Sequence, residues 1–355
     1  MKKSVVFLTV LIGLSLFPVT GCRRNTAGGY QQVERSEFLM GTLVTIKLFA
    51  EEVDSGNRAT DRALERIREI EGLMSTSLEN SEVGGINRHA GKKAVAVSED
   101  TFRVIKKGLY YGGLSEGLFD ITVGPLVSLW GIGTESARVP ESAELEGVLG
   151  LVDYRNVDLN GDTMEVFLKE PGMALDLGGI AKGYAADEVK KILVSEGIKY
   201  AIINLGGNII TIGPRYDGTP WNIGIKDPKD PTGSLLGVIR VTDGTVVTSG
   251  DYERYFEEGE KCYHHILDPH TGYPGQGEVR GVTIITGSSF DADALSTTVF
   301  LMGLERGMEL IEGLDGVEAI VVTRYRQVVT SSGVGDSFSI LKGDYNKRNG
   351  SLNGD

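Results

Sequence analysis

The sequence predicts an α+β protein built from mixed, largely antiparallel sheets with packed helices. Segments that alternate apolar and polar residues, and so indicate strands, mostly follow one another as hairpins or meanders. Segments with apolar residues at helical spacing stand between these groups of strands rather than after every strand. A doubly wound parallel sheet requires regular alternation of strand and helix, so this order favours α+β.

In the chain up to Gly197, a strand and three helices are predicted from local patterns, and a further strand is predicted just before Gly178. Leu43 to Phe49 alternates and is predicted to be a strand. Asn57 to Met74 has apolar residues at helical spacing with charges between them, which predicts a helix. A second helix is predicted from Ser98, a suitable N-cap, to about Tyr111. A third is predicted over Lys182 to Glu196, since Gly197 is a typical C-cap.

The chain beyond Gly197 is predicted to be rich in strands. Tyr200 to Asn204 reads as a buried strand, and a helix is predicted to begin near Asp291, with Met308 to Glu312 extending the helical region. The other predicted strands are a meander of Trp221–Ile225, Leu236–Val241 and Thr245–Thr248, a strand at Val282–Thr286, and a terminal hairpin of Val317–Thr323 with Val328–Thr330.

The N-terminal residues have the pattern of a secretory signal. Two lysines precede an apolar stretch that is too short for a comfortable membrane span, which predicts a signal peptide over residues 1–21. The stretch ends in Val-Thr-Gly before Cys22, which resembles a bacterial lipobox and implies cleavage before this cysteine and lipidation of its thiol. The alternative is an ordinary signal peptide with a chance cysteine. Lipidation predicts a membrane-anchored protein on the extracytoplasmic (periplasmic) face.

The mature chain is predicted to have three parts. Residues 22–33 form a lipidated, flexible tether, residues 34–342 one folded domain, and residues 343–355 a loose polar tail. The formal net charge of the 355 residues is −13, and no basic cluster offsets it, which excludes nucleic acid as a partner. Beyond Cys22 the remaining cysteine is Cys262, so the monomer has no internal disulfide.

Two glycine pairs follow predicted strands. Gly206-Gly207 lies between Asn204 and Asn208, which indicates either backbone that approaches a ligand or a simple hairpin turn. Gly178-Gly179 precedes Lys182, which lies in the first turn of a predicted helix, where free N–H groups and the helix dipole attract phosphate. The spacing is not that of a Walker loop, and a solvated lysine is the alternative.

Three of the four histidines, His264, His265 and His270, lie between Ser249 and Pro274. Their spacing matches no common zinc pattern, and Asp268 to Gly272 is a turn sequence, which favours structural roles for most of them.

Asp293 and Thr297 share one face of the predicted helix that begins near Asp291, because they are four residues apart. Carboxylate and hydroxyl oxygens are hard ligands that suit Mg²⁺, and Mg²⁺ takes its remaining ligands from water and phosphate. The alternative is that these polar side chains cap the helix.

Together these segments resemble the ApbE family of FAD:protein FMN transferases. The resemblance covers about Glu37 to Thr330 and rests on six segments in family order. They are Phe38 to Thr42 (FLMGT), Gly117 to Gly131 (GLFDITVGPLVSLWG), Asp176 to Asp187 (DLGGIAKGYAAD), Ile203 to Ile209 (INLGGNI), His264 to Pro274 (HHILDPHTGYP) and Asp291 to Thr297 (DADALST).

The resemblance implies a fold, a reaction and a site. It implies a T-fold-like core with a smaller second subdomain, and Mg²⁺-dependent transfer of FMN from FAD to a threonine hydroxyl of a partner protein, with release of AMP. It implies Asp293 and Thr297 as metal ligands with the carbonyl of Gly179, the carbonyl of Ser296 being a further possibility. Lys182 would contact FAD. The flavin and nucleotide cleft would be lined by Met40, Leu118, Phe119, Asp120 and His265, with His265 and Asp293 as the catalytic residues.

The family also implies partners and leaves alternatives open. Its usual acceptors are flavin-bearing subunits of membrane redox complexes, and this chain lacks their acceptor segment. Many members have a tyrosine where this chain has Ser77, so one flavin contact is expected to be absent. The alternative functions are a Mg²⁺-dependent FAD pyrophosphatase that yields FMN and AMP, and a non-catalytic, lipid-anchored flavin- or solute-binding protein.

Overall fold

The computed structural model describes residues 29–230, 232–259 and 261–349. The predicted signal peptide, Cys22 and most of the predicted tether lie outside the described residues. Within the described part of the chain, none of the helices has the length and apolar character needed to cross a membrane.

A nine-stranded sheet is the centre of the fold. All neighbouring strands in it are antiparallel except the last pair, which is parallel. In spatial order the strands are β1 (Gln31–Leu39), β2 (Thr42–Ala50), β6 (Tyr200–Leu205), β7 (Asn208–Ile212), β10 (Gly244–Gly250), β13 (Val279–Thr286), β14 (Glu318–Thr323), β15 (Gln327–Thr330) and β17 (Asn346–Asn349).

Both faces of this sheet carry packed elements, but the second face is exposed along β1, where Glu34, Ser36 and Phe38 lie. Apolar residues on one face join the largest core cluster, together with residues of the packed helices. Those helices are α1 (Val53–Met74), α6 (Ala181–Ser195), α7 (Ser289–Met302) and α8 (Leu304–Glu312). The other face packs, through residues such as Val246, Ile320 and Val328, against a sheet of β8 (Trp221–Lys226), β9 (Leu235–Val241) and β16 (Phe338–Ile340).

The segment between α1 and α6 forms the smaller second part. Its helices are α2 (Glu82–Arg88), α3 (Glu99–Leu114), α4 (Gly124–Trp130) and α5 (Ser142–Leu149). Its sheet contains β3 (Val95–Ala96), β4 (Val157–Asn160) and β5 (Glu165–Leu168), and a separate hairpin of β11 (Tyr255–Glu258) and β12 (Lys261–His264) lies later in the chain. Residues such as Phe102 and Val166 join the main core, whereas Trp130 is the centre of a separate cluster.

The α+β class with largely antiparallel sheets is confirmed, and several boundaries differ from the prediction. The predicted meander is divided: Thr245 to Thr248 lies in β10 of the main sheet, while its two other strands form β8 and β9 of the three-stranded sheet. Strand β1 starts at Gln31, so the end of the predicted tether belongs to the sheet. The predicted loose tail contains β17, which pairs with β15. In both segments, hydrogen bonds between backbone groups pair the strands. The polar side chains there do not have the alternating apolar pattern that predicts a strand.

Candidate active site at the crossing of α6 and α7

The site is built around a close contact between two helices. A Cβ atom on Gly183 would lie 2.2 Å from the carbonyl oxygen of Ser289 and 2.7 Å from the Cβ of Asp293. Only glycine therefore allows α6 to approach the first turns of α7 this closely. Across this contact the backbone N–H of Gly183 donates to Oδ2 of Asp293 at 2.8 Å. The contact fixes the orientation of a carboxylate that is only 4% exposed.

The other oxygen of Asp293 faces a lysine. Its Oδ1 lies 3.9 Å from Nζ of Lys182, which also donates to the carbonyl oxygen of Gly178 at 2.8 Å. Lys182 lies at the start of α6, as predicted, where the N-terminal backbone groups favour anions. This end of the helix therefore offers a positive charge directly beside a buried carboxylate.

Thr297 and Gly179 complete the group that the sequence predicts to bind metal. A Cβ atom on Gly179 would lie 3.9 Å from Oγ1 of Thr297, so the segment before α6 runs alongside the third turn of α7. The structure thus brings Gly179 beside the helix that carries Asp293 and Thr297, although Gly179 lies far from both in sequence.

Sequence reasoning missed Ser249, which lies at the end of β10 and touches the same turn of α7. Its Oγ is 2.8 Å from Oγ of Ser296 and 3.5 Å from Oγ1 of Thr297. The hydroxyl of Ser296, whose side chain is fully buried, donates back to the carbonyl oxygen of Asp293 at 2.8 Å. These contacts hold the α7 residues in register with the sheet. The pairing of β10 with β13 is a tertiary feature that no local pattern around Ser249 indicates.

The donor set of this group fits a hard cation. Among the described residues there is no cluster of three or more His, Cys, Asp or Glu side chains that could hold a metal ion. Mg²⁺ does not need such a cluster, because it retains several waters and binds through one or two carboxylates and phosphate oxygens. Asp293, Thr297 and the Gly179 carbonyl supply oxygen atoms of the required kind.

Two tight turns meet at one end of the main sheet. Met40 and Gly41, with φ values of 50° and 69°, form the two-residue turn between β1 and β2. The backbone N–H of Met40 donates to Oε1 of Glu71 at 2.8 Å, which holds this uncommon conformation. The neighbouring residue Thr42 packs against Gly206, where a Cβ atom would lie 2.2 Å from its Oγ1. The first and fourth family segments therefore meet at one end of the sheet.

The second glycine pair is a hairpin turn that faces the site. Gly206 and Gly207 join β6 to β7 with φ values of 59° and 104°, and the N–H of Gly207 donates to Oδ1 of Asn204 at 2.8 Å. Glu253 approaches Gly207 and lies within electrostatic range of Lys182 and Asp293. The hairpin-turn alternative from the sequence is confirmed, and approach of this backbone to a ligand stays a prediction.

The segment of Leu118, Phe119 and Asp120 is buried beside this group. A Cβ atom on Gly179 would lie 3.2 Å from the ring of Phe119, so the ring packs directly on the predicted metal-binding segment. The carboxylate of Asp120 accepts from the backbone N–H groups of Thr122, at 2.7 Å, and Tyr154, at 2.8 Å. Burial raises the pKa of Asp120, against the effect of these hydrogen bonds. In this structure Asp120 therefore fixes the loop that carries Phe119.

The three histidines have different surroundings. His264 is buried, and its Nε2 lies 3.0 Å from the carbonyl oxygen of Gly275. His270 is exposed and lies beside Gly117. His265 is partly buried, with Nδ1 3.3 Å from the carbonyl oxygen of Arg254. Burial lowers the pKa of His265 to about 4, and the positive charges of Arg254 and Lys182 act in the same direction.

Asp291 is neither the N-cap of α7 nor part of the predicted metal group. The cap is Ser288, whose Oγ accepts from the N–H of Asp291 at 3.2 Å. The carboxylate of Asp291 instead accepts from Tyr111 at 2.6 Å and pairs with Lys107 at 2.5 Å. Burial opposes the charged form, but the hydrogen bonds from Lys107 and Tyr111 outweigh it and lower the pKa of Asp291. The two aspartates of this helix thus point to different partners.

Comparison with known proteins places these features in a family context. Residues 40–321 match the model of the ApbE family. The chain is 38% identical over 310 residues to an FAD:protein FMN transferase of Klebsiella pneumoniae (strain 342), covering 87% of this chain and 95% of that protein. It is 32% identical over 358 residues to an FAD:protein FMN transferase of Treponema pallidum (strain Nichols), covering 96% and 98%.

Solved structures agree with this comparison. The ApbE protein of Thermotoga maritima MSB8 is similar with a TM-score of 0.76 and 37% identity, covering 82% of this chain and 94% of that one. The flavin transferase ApbE from Vibrio cholerae is similar with a TM-score of 0.75 and 32% identity, covering 83% and 94%.

Proposed function

The chain belongs to the ApbE family and is an enzyme that transfers FMN from FAD to a protein, and from this premise we propose a Mg²⁺-dependent transfer to a threonine hydroxyl. The hydroxyl oxygen of the acceptor threonine attacks the FMN-side phosphorus of FAD. A new P–O bond forms, the bond from that phosphorus to the bridging oxygen breaks, and AMP leaves with the bridging oxygen. FMN remains joined to the threonine through a phosphoester.

The contact of α6 with Asp293 is the observation that carries this proposal. One oxygen of Asp293 is held by the N–H of Gly183, while the other lies on the side of Lys182. Asp293, Thr297 and the carbonyl of Gly179 are the residues that would hold the ion. Bound Mg²⁺ would neutralise charge on the pyrophosphate oxygens.

The remaining residues bind the substrate and accept the proton. Lys182 and the start of α6 attract the pyrophosphate, because both are positive. Met40, Leu118 and Phe119 provide backbone and apolar surface for the nucleotide and flavin, and Asp120 holds their loop. His265 accepts the proton of the attacking hydroxyl at a ring nitrogen, since burial keeps its imidazole neutral near pH 7.

An FMN-transfer assay tests the proposal. The full chain is incubated with FAD, Mg²⁺ and a flavin-acceptor subunit of a membrane redox complex, and the acceptor is analysed by intact mass and peptide mapping. We expect an added FMN on one threonine, release of AMP, and loss of both with excess chelator. FMN and AMP formed at the same rate with or without acceptor, and no mass on the acceptor, would instead support the pyrophosphatase.

We also propose that the enzyme is a lipoprotein anchored through Cys22 on the extracytoplasmic face of a membrane. The apolar stretch and the residues before Cys22 support this. An anchor would confine the enzyme to the surface that carries its acceptors and raise their effective concentration. Changing Cys22 to Ser is expected to move the protein from the membrane fraction to the soluble fraction, measured by fractionation and by labelling with palmitate.

A further inference from the structure

A second cleft lies on the opposite side of the first turn of α7 from Asp293. It has a volume of about 730 Å³ and is formed by one face of α3, one face of α6 and the start of α7. Five cationic side chains line it, namely Arg103, Lys106, Lys107, Lys190 and Lys191. We call this the basic cleft. None of the predicted metal, flavin or acid/base residues lines it.

The spacing of the cations explains how they converge. Arg103, Lys106 and Lys107 follow one another at the positions that share one face of α3, and Tyr110 continues that face. On α6, Lys190 and Lys191 lie four and three residues before Val194, so these three side chains also share one helix face. The two faces border the same space, so the charges of two helices accumulate in one concave surface.

The positive charge of the basic cleft is only partly neutralised. Two acids, Asp187 and Asp291, also line it, but both are engaged in the fold. Asp187 accepts from the N–H groups of Ser289, at 2.9 Å, and Phe290, at 3.1 Å. Asp291 is bonded to Tyr111 and Lys107.

Arg103 and Lys106 are the two cations of the cleft that have no ion pair among the described residues. By contrast, Lys190 pairs with Asp243 and Lys191 pairs with Glu188, and both carboxylates lie outside the cleft. Within the described part of the chain, no carboxylate lies within ion-pairing distance of Arg103 or Lys106, and both are exposed. On a chain of net charge −13, a cleft lined by five cations, two of which have no ion pair among the described residues, is a local exception.

The cleft also has apolar surface. Tyr110 is 56% exposed and Val194 52% exposed, and Phe290 lies between the helices. The hydrocarbon stems of the lysines add to this surface. The cleft therefore suits a ligand that carries both carboxylates and large apolar side chains, and its concave shape suits an inserted segment better than a flat membrane.

We propose that the basic cleft binds an acidic, apolar-containing segment of the acceptor protein. This inference rests on the proposed FMN transfer, because an acceptor must dock near the site. Asp291 faces the cleft and Asp293 faces the site, two residues apart and on opposite sides of a helix about 10 Å across. A segment in the cleft therefore holds the acceptor within reach of the transfer site, and opposite charges guide the encounter.

The test compares two double variants of the full chain that change the net charge equally. Arg103→Glu with Lys106→Glu reverses the two unpaired cations. Lys92→Glu with Lys93→Glu is the control, because both lysines are exposed and neither lines the cleft. The probe is a fluorescein-labelled peptide of alternating Glu and Tyr, with a Gln and Tyr peptide as the uncharged comparison, and binding is followed by fluorescence anisotropy at several salt concentrations.

The cleft variant is expected to weaken binding of the acidic peptide by about tenfold or more, since exposed charge pairs contribute modestly and two are reversed. The control is expected to stay within about twofold of the unchanged chain, because long-range surface charge is screened. Equal binding by all three proteins, or equal binding of the Gln peptide, would overturn the proposal. Loss of binding to phosphatidylglycerol vesicles, with peptide binding unchanged, would overturn it in favour of a membrane contact.

Enzyme assays separate this proposal from the proposed function. With acceptor protein present, the cleft variant is expected to raise the KM for acceptor about tenfold with little change in kcat. Its hydrolysis of FAD without acceptor is expected to match that of the control. If the unchanged chain transfers no FMN, the proposed function fails, whereas the peptide measurement still decides whether the cleft recognises acidic segments.

Discussion

Asp291 and Asp293 show how two identical side chains, two positions apart, acquire different roles. Successive α-helical residues are rotated by about 100°, so these two carboxylates leave opposite sides of α7. The carboxylate of Asp291 pairs with Lys107 and accepts a hydrogen bond from Tyr111, and both contacts are structural. The carboxylate of Asp293 accepts a hydrogen bond from the backbone N–H of Gly183 and lies beside the positive charge of Lys182.

Asparagine substitutions distinguish these roles. Asp293→Asn preserves size and an acceptor for Gly183 but removes the negative charge, so we expect Mg²⁺ affinity and FMN transfer to fall by about 100-fold or more. Asp291→Asn leaves Lys107 without its ion partner and is expected to lower the free energy of unfolding by about 1–3 kcal/mol, with transfer at saturating acceptor nearly unchanged. Titration calorimetry, flavin fluorescence on the acceptor and thermal denaturation measure these effects. The reverse pattern would refute the assignment.

The low pKa of His265 leads us to expect an unusual pH dependence of FMN transfer. Its folded-state pKa of about 4 lies below the ordinary value of 6.5, so the imidazole loses its neutral form only as the pH falls through about 4. Transfer that requires the neutral ring should therefore keep its rate down to about pH 5. The free energy of unfolding depends on pH in the same direction. As the pH falls below the ordinary histidine pKa of 6.5, the unfolded chain binds this proton before the folded chain does, so the folded state loses stability.

Two measurements check this prediction. A pH–rate profile for transfer should lack a step near pH 6.5, the ordinary value. Proton NMR of the four histidine rings, with His265→Gln for assignment, should give one ring that titrates near pH 4. A His265 ring that titrates near its ordinary value would contradict the prediction.

At the scale of elements, the crossing of α6 and α7 depends on the absence of a side chain at Gly183. The pattern of apolar residues in α6 predicts a helix but not which helix it touches, whereas the glycine permits the contact that orients Asp293. Sequence patterns predicted α1, α3, α6 and the β14–β15 hairpin, since each has a strong local period or cap. They missed β1, α2 and α4, whose short or polar segments depend on tertiary contacts.

Gly183→Ala tests this contact. The added methyl would overlap the carbonyl of Ser289 and the Cβ of Asp293, so we expect a loss of about 1–3 kcal/mol in the free energy of unfolding. Transfer should also fall, because Asp293 moves. Gly72→Ala is the control, since no atom lies within 4 Å of its added Cβ in α1 and alanine favours the helix by about 1 kcal/mol. Chemical denaturation and the transfer assay of both variants provide the comparison, and a Gly183→Ala protein as stable as its control would exclude a tight crossing.

At the scale of the whole molecule, the second face of the main sheet is closed by the end of the chain. Tyr345, in the segment predicted to be a loose tail, is 7% exposed and packs with Ile223, Val328 and Phe338. Its hydroxyl donates to Oδ1 of Asp227 at 2.6 Å, and Lys342 pairs with Oδ2 of the same carboxylate at 2.6 Å. The end of the described chain is therefore part of the core.

Substitution of Tyr345 measures this contribution. Tyr345→Ala removes a buried ring and is expected to lower the free energy of unfolding by about 3 kcal/mol or more. Tyr345→Phe keeps the ring and loses only the hydrogen bond to Asp227, so we expect a loss of about 1 kcal/mol. Urea denaturation of both variants gives the difference. No change in either variant is the outcome expected of a loose tail.

The sequence by itself determined the fold class, the family and the chemical types of the candidate site residues. These follow from local period, from capping residues and from segments such as DLGGIAKGYAAD and DADALST, each of which is contiguous. Only the tertiary structure decided that Ser249 touches Thr297, that Asp291 belongs to a salt bridge, and that five cations of two helices share a cleft. The physical reason is that such contacts join residues far apart along the chain, and helix orientation and sheet register, which a local pattern does not encode, set their distances.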